Sequence, residues 1–168
     1  MGTNMLISLR EMTEYDLEFF VEVRNSCAKD YLHDSRTFTV AEAKEWWVNN
    51  KNEYYIILFG DVKIGYFRTS NYSKENGNIY IGADLHEDWR GQGLSYVAYQ
   101  QFIPFMFEYR NLHKISLEVL ATNTIAISLY RKLGFVEEGR KRDEVFKNGF
   151  YIDSIIMSII KEEYYEKI

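Results

Sequence analysis

Residues 79–95 run Ile79-Tyr80-Ile81-Gly82-Ala83-Asp84-Leu85-His86-Glu87-Asp88-Trp89-Arg90-Gly91-Gln92-Gly93-Leu94-Ser95, an apolar, strand-like stretch that breaks into a glycine-rich turn and then a long amphipathic segment. Gly91 and Gly93 lack a β-carbon, so backbone N–H groups at the mouth of the next helix can lie against a bulky anion, where the helix dipole adds positive character. The chemistry this suggests is a pyrophosphate cradle, although two glycines before a helix also serve a plain turn. Two other phosphate motifs fail on spelling. The nucleotide-hydrolase loop needs Lys followed by Ser or Thr after its last glycine, and the dinucleotide fingerprint needs a third glycine where Tyr96 stands.

A second group of polar residues lies downstream, in Leu117-Glu118-Val119-Leu120-Ala121-Thr122-Asn123 followed by Ala126, Tyr130, Lys132, Gly134 and Phe135. Strand alternation puts Leu117 and Val119 on one side and Glu118 on the other, where its carboxylate is either a proton acceptor or a solvated, salt-bridged side chain. Asn123 is placed to N-cap a helix that Gly134 ends, and Tyr130 lies on that helix as a core side chain or a proton donor.

Arg90-Gly91-Gln92-Gly93-Leu94 fits the pattern [QR]-x-x-G-x-[GA], with Ser95 as a small substitute at the last place. With the Leu117–Phe135 stretch at its spacing, the chain resembles the GNAT N-acetyltransferases. The resemblance implies acetyl-CoA as cosubstrate, its pyrophosphate on Arg90, Gly91, Gln92, Gly93, Leu94 and Ser95, and its pantetheine arm beside the 79–85 strand and Asn123. It implies backbone N–H groups around Ala83, Asp84 and Leu85 for the acyl oxygen, Tyr130 as the acid for the departing thiolate, and Glu118 as the base, with Asp84 a further carboxylate. A phenol at about 10 is only slightly less acidic than a thiol at about 8.5, so the proton transfer is uphill by roughly 2 kcal/mol. A base is needed because a primary ammonium ionises near about 10.4.

The resemblance also places the acceptor against Arg24 to Phe38 and residues near Phe146 to Tyr151, with Arg24, Asn25, Tyr31 and His33 as binding candidates. Arg24, Lys29 and Arg36 against Asp30 and Asp34 leave this segment at +1, which offers a polycation little attraction. The acceptor expected first is a small amine such as a nucleotide-linked amino sugar, then a ribosomal-protein-type N-terminus, then a polyamine. A reading from another class is an acyl-CoA-binding sensor without catalysis.

These residues need a scaffold, and a length of 168 residues fits a single domain. Apolar content of 46%, charged content of 27% and a formal net charge of −5 describe an ordinary globule; no Lys/Arg block exceeds Arg140-Lys141-Arg142, so no nucleic-acid surface is expected. Cys27 is the only cysteine and the three histidines lack ligand spacing, so neither disulfide nor metal is expected. No apolar run approaches a membrane span, and Met1-Gly2-Thr3-Asn4 carries no signal or myristoylation pattern, which gives a cytoplasmic expectation with no membrane partner. Periodicity gives a strand at Met5–Arg10, helices from Thr13 and Thr39, hairpin strands at 54–59 and 62–69, and the 79–85 strand, where Gly82 marks a bulge or close approach. A helix at 94–109 with a kink or break at Pro104, a strand at 113–120, a helix at 123–133 and a hairpin around Asn148-Gly149 complete the chain. The fold expected is a single-domain α/β GNAT fold, a mixed, mostly antiparallel sheet of about seven strands with about four helices. Its exposed terminal strand makes a homodimer a plausible state.

Overall fold

Alternating apolar stretches bounded by turn residues become β1 (Ile7–Glu11), β2 (Tyr54–Phe59), β3 (Val62–Ser73), β4 (Asn78–Leu85), β5 (Lys114–Leu120), β6 (Val136–Lys147) and β7 (Phe150–Ile160). In the computed structural model, which describes residues 6–168, they form one 7-stranded sheet in the order β1-β2-β3-β4-β5-β7-β6. Met1–Asn4, and Met5 of the expected first strand, lie outside the described residues. β4 and β5 are the parallel pair at the centre, and the other neighbours are antiparallel.

The helices are α1 (Leu17–Ala28), α2 (Val40–Asn49), α3 (Leu94–Tyr109), α4 (Thr124–Leu133) and α5 (Lys161–Glu166). Period-2 alternation divides them between two faces of the sheet. On one face Ile79 and Ile81 of β4, Leu117 and Val119 of β5 and Met157 of β7 pack with α3 and α4. On the other, Ile56 of β2 and Tyr66 of β3 pack beneath Phe20 and Val23 of α1 and Ala43 of α2. The α1 face is the one that carries Glu118.

Asp16 fixes the start of α1 to the sheet edge. Its carboxylate, 2% exposed, accepts two 2.8 Å hydrogen bonds from Arg10 of β1 and one from the Thr13 N–H. The Arg10 guanidinium holds it far below the usual carboxylate range.

The charged and aromatic residues after β7 form α5, because Phe107 of α3 supplies an apolar seat for Tyr164 and Tyr165 at ring distances of 5.8 and 6.3 Å. Two expectations are corrected. Of the kink or break expected at Pro104, the break does not occur: α3 is continuous there, and the carbonyl that loses its partner belongs to Gln100, an exposed residue that water can reach. Gly82 is not a bulge: it pairs in register with Arg68, and the β3–β4 shift lies between Ser70 and Ser73. A Cβ at Gly82 would stand 2.7 Å from the Arg68 guanidinium carbon, so the glycine admits a side chain lying flat on the strand.

Candidate active site

The parallel ladder between β4 and β5 is short. It joins Asn78 to Lys114, Ile79 to Ile115 and Tyr80 to Ser116, then ends, while β4 continues to Leu85 against β3 and β5 to Leu120 against β7. Beyond Tyr80 and Ser116 the two strands therefore turn unpaired backbone toward each other. An extended ligand could bond there as an added strand does.

Gly65 of β3 lies tight against the end of β4 that borders the gap. It pairs with Leu85, and a Cβ there would overlap the Asp84 carbonyl oxygen and lie 2.7 Å from Leu85 Cδ2 and 3.0 Å from its Cα. Because two of the obstacles are backbone, Gly65→Ala must push β4 aside at the residues that flank the gap. We expect a loss of about 1–3 kcal/mol, read as a lower denaturant midpoint with an unchanged slope; an unshifted midpoint would mean the strand yields freely.

The loop after β4 makes a 3-10 turn at Glu87–Trp89 and enters α3 through Gly91 and Gly93, whose φ angles of +73° and +77° favour glycine. Among the described residues, nothing lies within 4 Å of a Cβ built on either. Gly93 supplies no side-chain cap to α3 and its first turn carries no acid, so the amides there remain available to an anion. Gln92 braces the turn through a 2.9 Å bond to the Asp88 carbonyl, and Leu94 and Ser95 open the helix.

The Arg90 side chain is engaged with the end of α1 and the end of β4. Its Nε donates to the Leu85 carbonyl at 3.0 Å and its Nη2 to Ser26 Oγ and Cys27 Sγ, each at 3.0 Å, while the guanidinium lies 5.3 Å from the Tyr31 ring. It ties the loop to the end of α1. Burial pushes the Cys27 thiol up to about 11, which suits a packed side chain rather than a nucleophile.

Tyr130 of α4 and Glu118 of β5 stand on opposite faces of the sheet beside the gap. Asn123 caps α4, its Oδ1 accepting the Ala126 N–H at 3.2 Å, and Gly134 closes it. The buried Tyr130 hydroxyl accepts a 3.4 Å bond from Tyr99, and burial raises the phenol pKa. Glu118 accepts from Lys141 Nζ at 2.8 Å and from Ser154 Oγ at 3.3 Å, and His33 Nε2 meets the same Ser154 oxygen at 2.7 Å. With the Ser154 proton given to Glu118, a carboxylate that can only accept, His33 donates from Nε2, and its Nδ1, without a partner among the described residues, is an acceptor. Burial holds the His33 pKa below its usual value, so the ring is neutral at pH 7.

A pocket of about 240 Å³ opens on this face, lined by Arg24, His33, Tyr54, Tyr66, Arg68 and Asp84 among others. At its floor Asp84 accepts from Tyr66 at 2.6 Å and from Arg68 at 2.5 Å. Of the four acceptor candidates, Arg24 and His33 line this pocket. Asn25 instead clamps the loop, exchanging two bonds with the Phe38 backbone at 2.8 and 3.0 Å. Tyr31 faces a separate cleft of about 690 Å³, shared with Asn123, Phe150 and Tyr151. Lys147 of β6, which also lines this cleft, donates to the Ala28 carbonyl at the end of α1.

Tyr66, Arg68, Lys141 and Ser154 were not among the sequence candidates. Arg68 left one usable sign, a cation inside the apolar run of β3; Ser154 left none.

Residues 7–136 match the family model described as the acetyltransferase (GNAT) domain. The uncharacterized N-acetyltransferase p20 of Bacillus licheniformis is 36% identical over 109 residues, 65% of this chain and 61% of that protein, so the chain spans less than two thirds of that relative. A spermidine N(1)-acetyltransferase of Vibrio cholerae is 39% identical over 75 residues, 45% of this chain and 43% of the relative. The solved structure of spermidine N-acetyltransferase from Vibrio cholerae in complex with CoA and spermine superposes with a TM-score of 0.87 at 25% identity, covering 96% of this chain and 99% of that one.

Proposed function

The chain belongs to the acetyltransferase (GNAT) domain family, and from that premise we propose that it transfers the acetyl group of acetyl-CoA to a primary amine by direct attack. The observation that carries this is the divergence of β4 from β5 after Tyr80 and Ser116, which ends at an uncapped helix N-terminus and has Tyr130 and Glu118 on its opposite faces. Unpaired strand edges and free first-turn amides suit a pantetheine arm and a pyrophosphate. Acetyl-CoA supplies an activated thioester; the rest falls to this chain's own groups.

Asn123 and the backbone of Ala83, Asp84 and Leu85 border the gap, and N–H groups there would meet the negative charge that develops on the acyl oxygen. On the α1 face, a proton leaving the amine passes to His33 Nδ1 or directly to Glu118, which His33 reaches through Ser154. On the α4 face, Tyr130 gives its proton to the sulfur. The acceptor we favour is a small molecule, with a nucleotide-linked amino sugar first; the spermine in the similar Vibrio cholerae structure supports an amine acceptor in general.

The test is thiol release from acetyl-CoA in the presence of nucleotide-linked amino sugars, short peptides with free N-termini, or polyamines. Acetyl-CoA should also raise the melting temperature, since a ligand at about 100 times its Kd stabilises by about 2.7 kcal/mol. No thermal shift would remove the reading of the gap. A shift with no thiol release in any pool would favour a binding module.

A further inference from the structure

The carboxylates that line the acceptor pocket already hold cations. Asp84 is paired with Arg68 at 2.5 Å, and Asp34 with Arg36 at 2.7 Å and more loosely with Arg24 at 3.5 Å; Glu118, outside the lining but beside His33, is paired with Lys141 at 2.8 Å. A polyamine offers a second and third ammonium, and among the described residues lining this pocket none is a carboxylate left to receive them. Displacing Arg68 from Asp84 would strand a guanidinium over Gly82.

Donors, in contrast, are left over. Arg68 uses Nη1 on Asp84, while its Nε and Nη2 make no hydrogen bond among the described residues and its side chain is 36% exposed. These two nitrogens lie over the Gly82 backbone, two residues past the point where β4 leaves β5, and so beside the mouth of the gap. They form one edge of a planar fork, the geometry that matches a carboxylate or a phosphate with two parallel N–H···O bonds. Tyr54, which lines the same pocket, has a hydroxyl with no partner among the described residues. The glycine matters here as well, because any larger residue at 82 would lift the guanidinium from the strand.

We propose that the free edge of Arg68 anchors an oxyanion carried by the amine acceptor, so that the pocket selects amines bearing a carboxylate or phosphate over polyamines. The inference rests on the acetyl-transfer reading and names the acceptor class for it. Asp84 and Tyr66 are positioning residues that hold the fork in place, and Arg68 touches the acceptor.

Matched probes test it by thiol release from acetyl-CoA: lysine against cadaverine, which differ by a carboxylate, and glucosamine 6-phosphate against glucosamine, with spermidine alongside. The anionic member of at least one pair should turn over with a kcat/KM at least about tenfold higher, as a charge-assisted bond allows, and the pair that shows it tells carboxylate from phosphate. Arg68→Gln should abolish the preference mainly through KM, and Arg68→Lys, which keeps charge without the fork, should restore part of it. Because Arg68→Gln leaves Asp84 unpaired, the double variant Arg68→Gln with Asp84→Asn, in which both partners are neutral, repeats the test without a stranded buried charge. Preference for cadaverine or spermidine, no turnover of either anionic probe, or a preference that survives the double variant would overturn the proposal. Failure of acetyl-CoA to raise the melting temperature would instead count against the reading of the gap.

Discussion

Replacing Tyr130 by Phe is expected to lower kcat by about 10²–10³-fold, within the usual range for loss of a positioned proton donor, while acetyl-CoA binding stays nearly constant. The ring is what the core uses. It meets Tyr99 edge-on at 5.7 Å and Phe135 at 5.9 Å, and both contacts survive in Phe. What disappears is one hydroxyl and the 3.4 Å bond it accepts from Tyr99. That leaves a buried donor unpaired, a stability cost of about 1–3 kcal/mol that a thermal melt separates from the loss of turnover. Burial raises the Tyr130 phenol, so it stays protonated through the alkaline side of neutrality and the wild-type rate should show no loss of acid there. The thiolate it serves is raised by the same dry surroundings, which keeps the transfer close to balanced. Single-turnover measurements on the variant check this, since a slow chemical step with normal cosubstrate affinity is the expected pattern. Unchanged single-turnover rates would take Tyr130 out of the reaction and leave it as packing.

How far the sequence carried depends on how local each feature is. Asn123 and Gly134 could be read as caps because a cap is decided within four residues, and both caps are present. The strand, glycine loop and helix from Ile79 onward were legible for the same reason. Arg90 was assigned to the anion loop by position in a pattern, yet its side chain is held by Ser26, Cys27 and Leu85, three partners that only folding brings near. Gly82 showed that something approaches the strand closely, without telling a bulge from the Arg68 side chain. Ser154 lies 36 residues from Glu118 and 121 from His33, so no window of sequence could join the three. Cross-strand neighbours on one face are set by register, and β7 lies beside β5 because β6 takes the sheet edge.

Glu118→Gln is expected to lose activity in a way that depends on pH, and the direction separates a base from a brace. At pH 7 an amine with a pKa of about 10.4 is unprotonated in roughly one molecule in 2,500, so freeing it costs about 4.6 kcal/mol. A proton acceptor in the site can remove at most that cost, which limits the expected deficit to about 10²–10³-fold near neutral pH. Each unit of pH above 7 supplies about tenfold more free amine. The gap between variant and wild type should therefore narrow steadily and nearly close around the pKa of the amine. His33→Gln should give a smaller deficit of the same shape, because burial keeps the imidazole neutral from pH 7 upward and its capacity to accept does not change across the window. A peptide acceptor, and in the same direction an amino sugar whose neighbouring oxygens acidify its ammonium, would behave differently from an alkyl amine: an α-amino group at about 7.7–8.0 is already free in about one molecule in ten at pH 7, so the deficit would be about tenfold and would vanish by about pH 9. Glu118 is 25% exposed and its partner Lys141 40%, so removing the charge costs little stability and the fold should not obscure the result. If the ratio of variant to wild type stays constant from pH 7 to about 10, Glu118 serves only to hold Lys141 and Ser154, and the proton leaves the amine by another route.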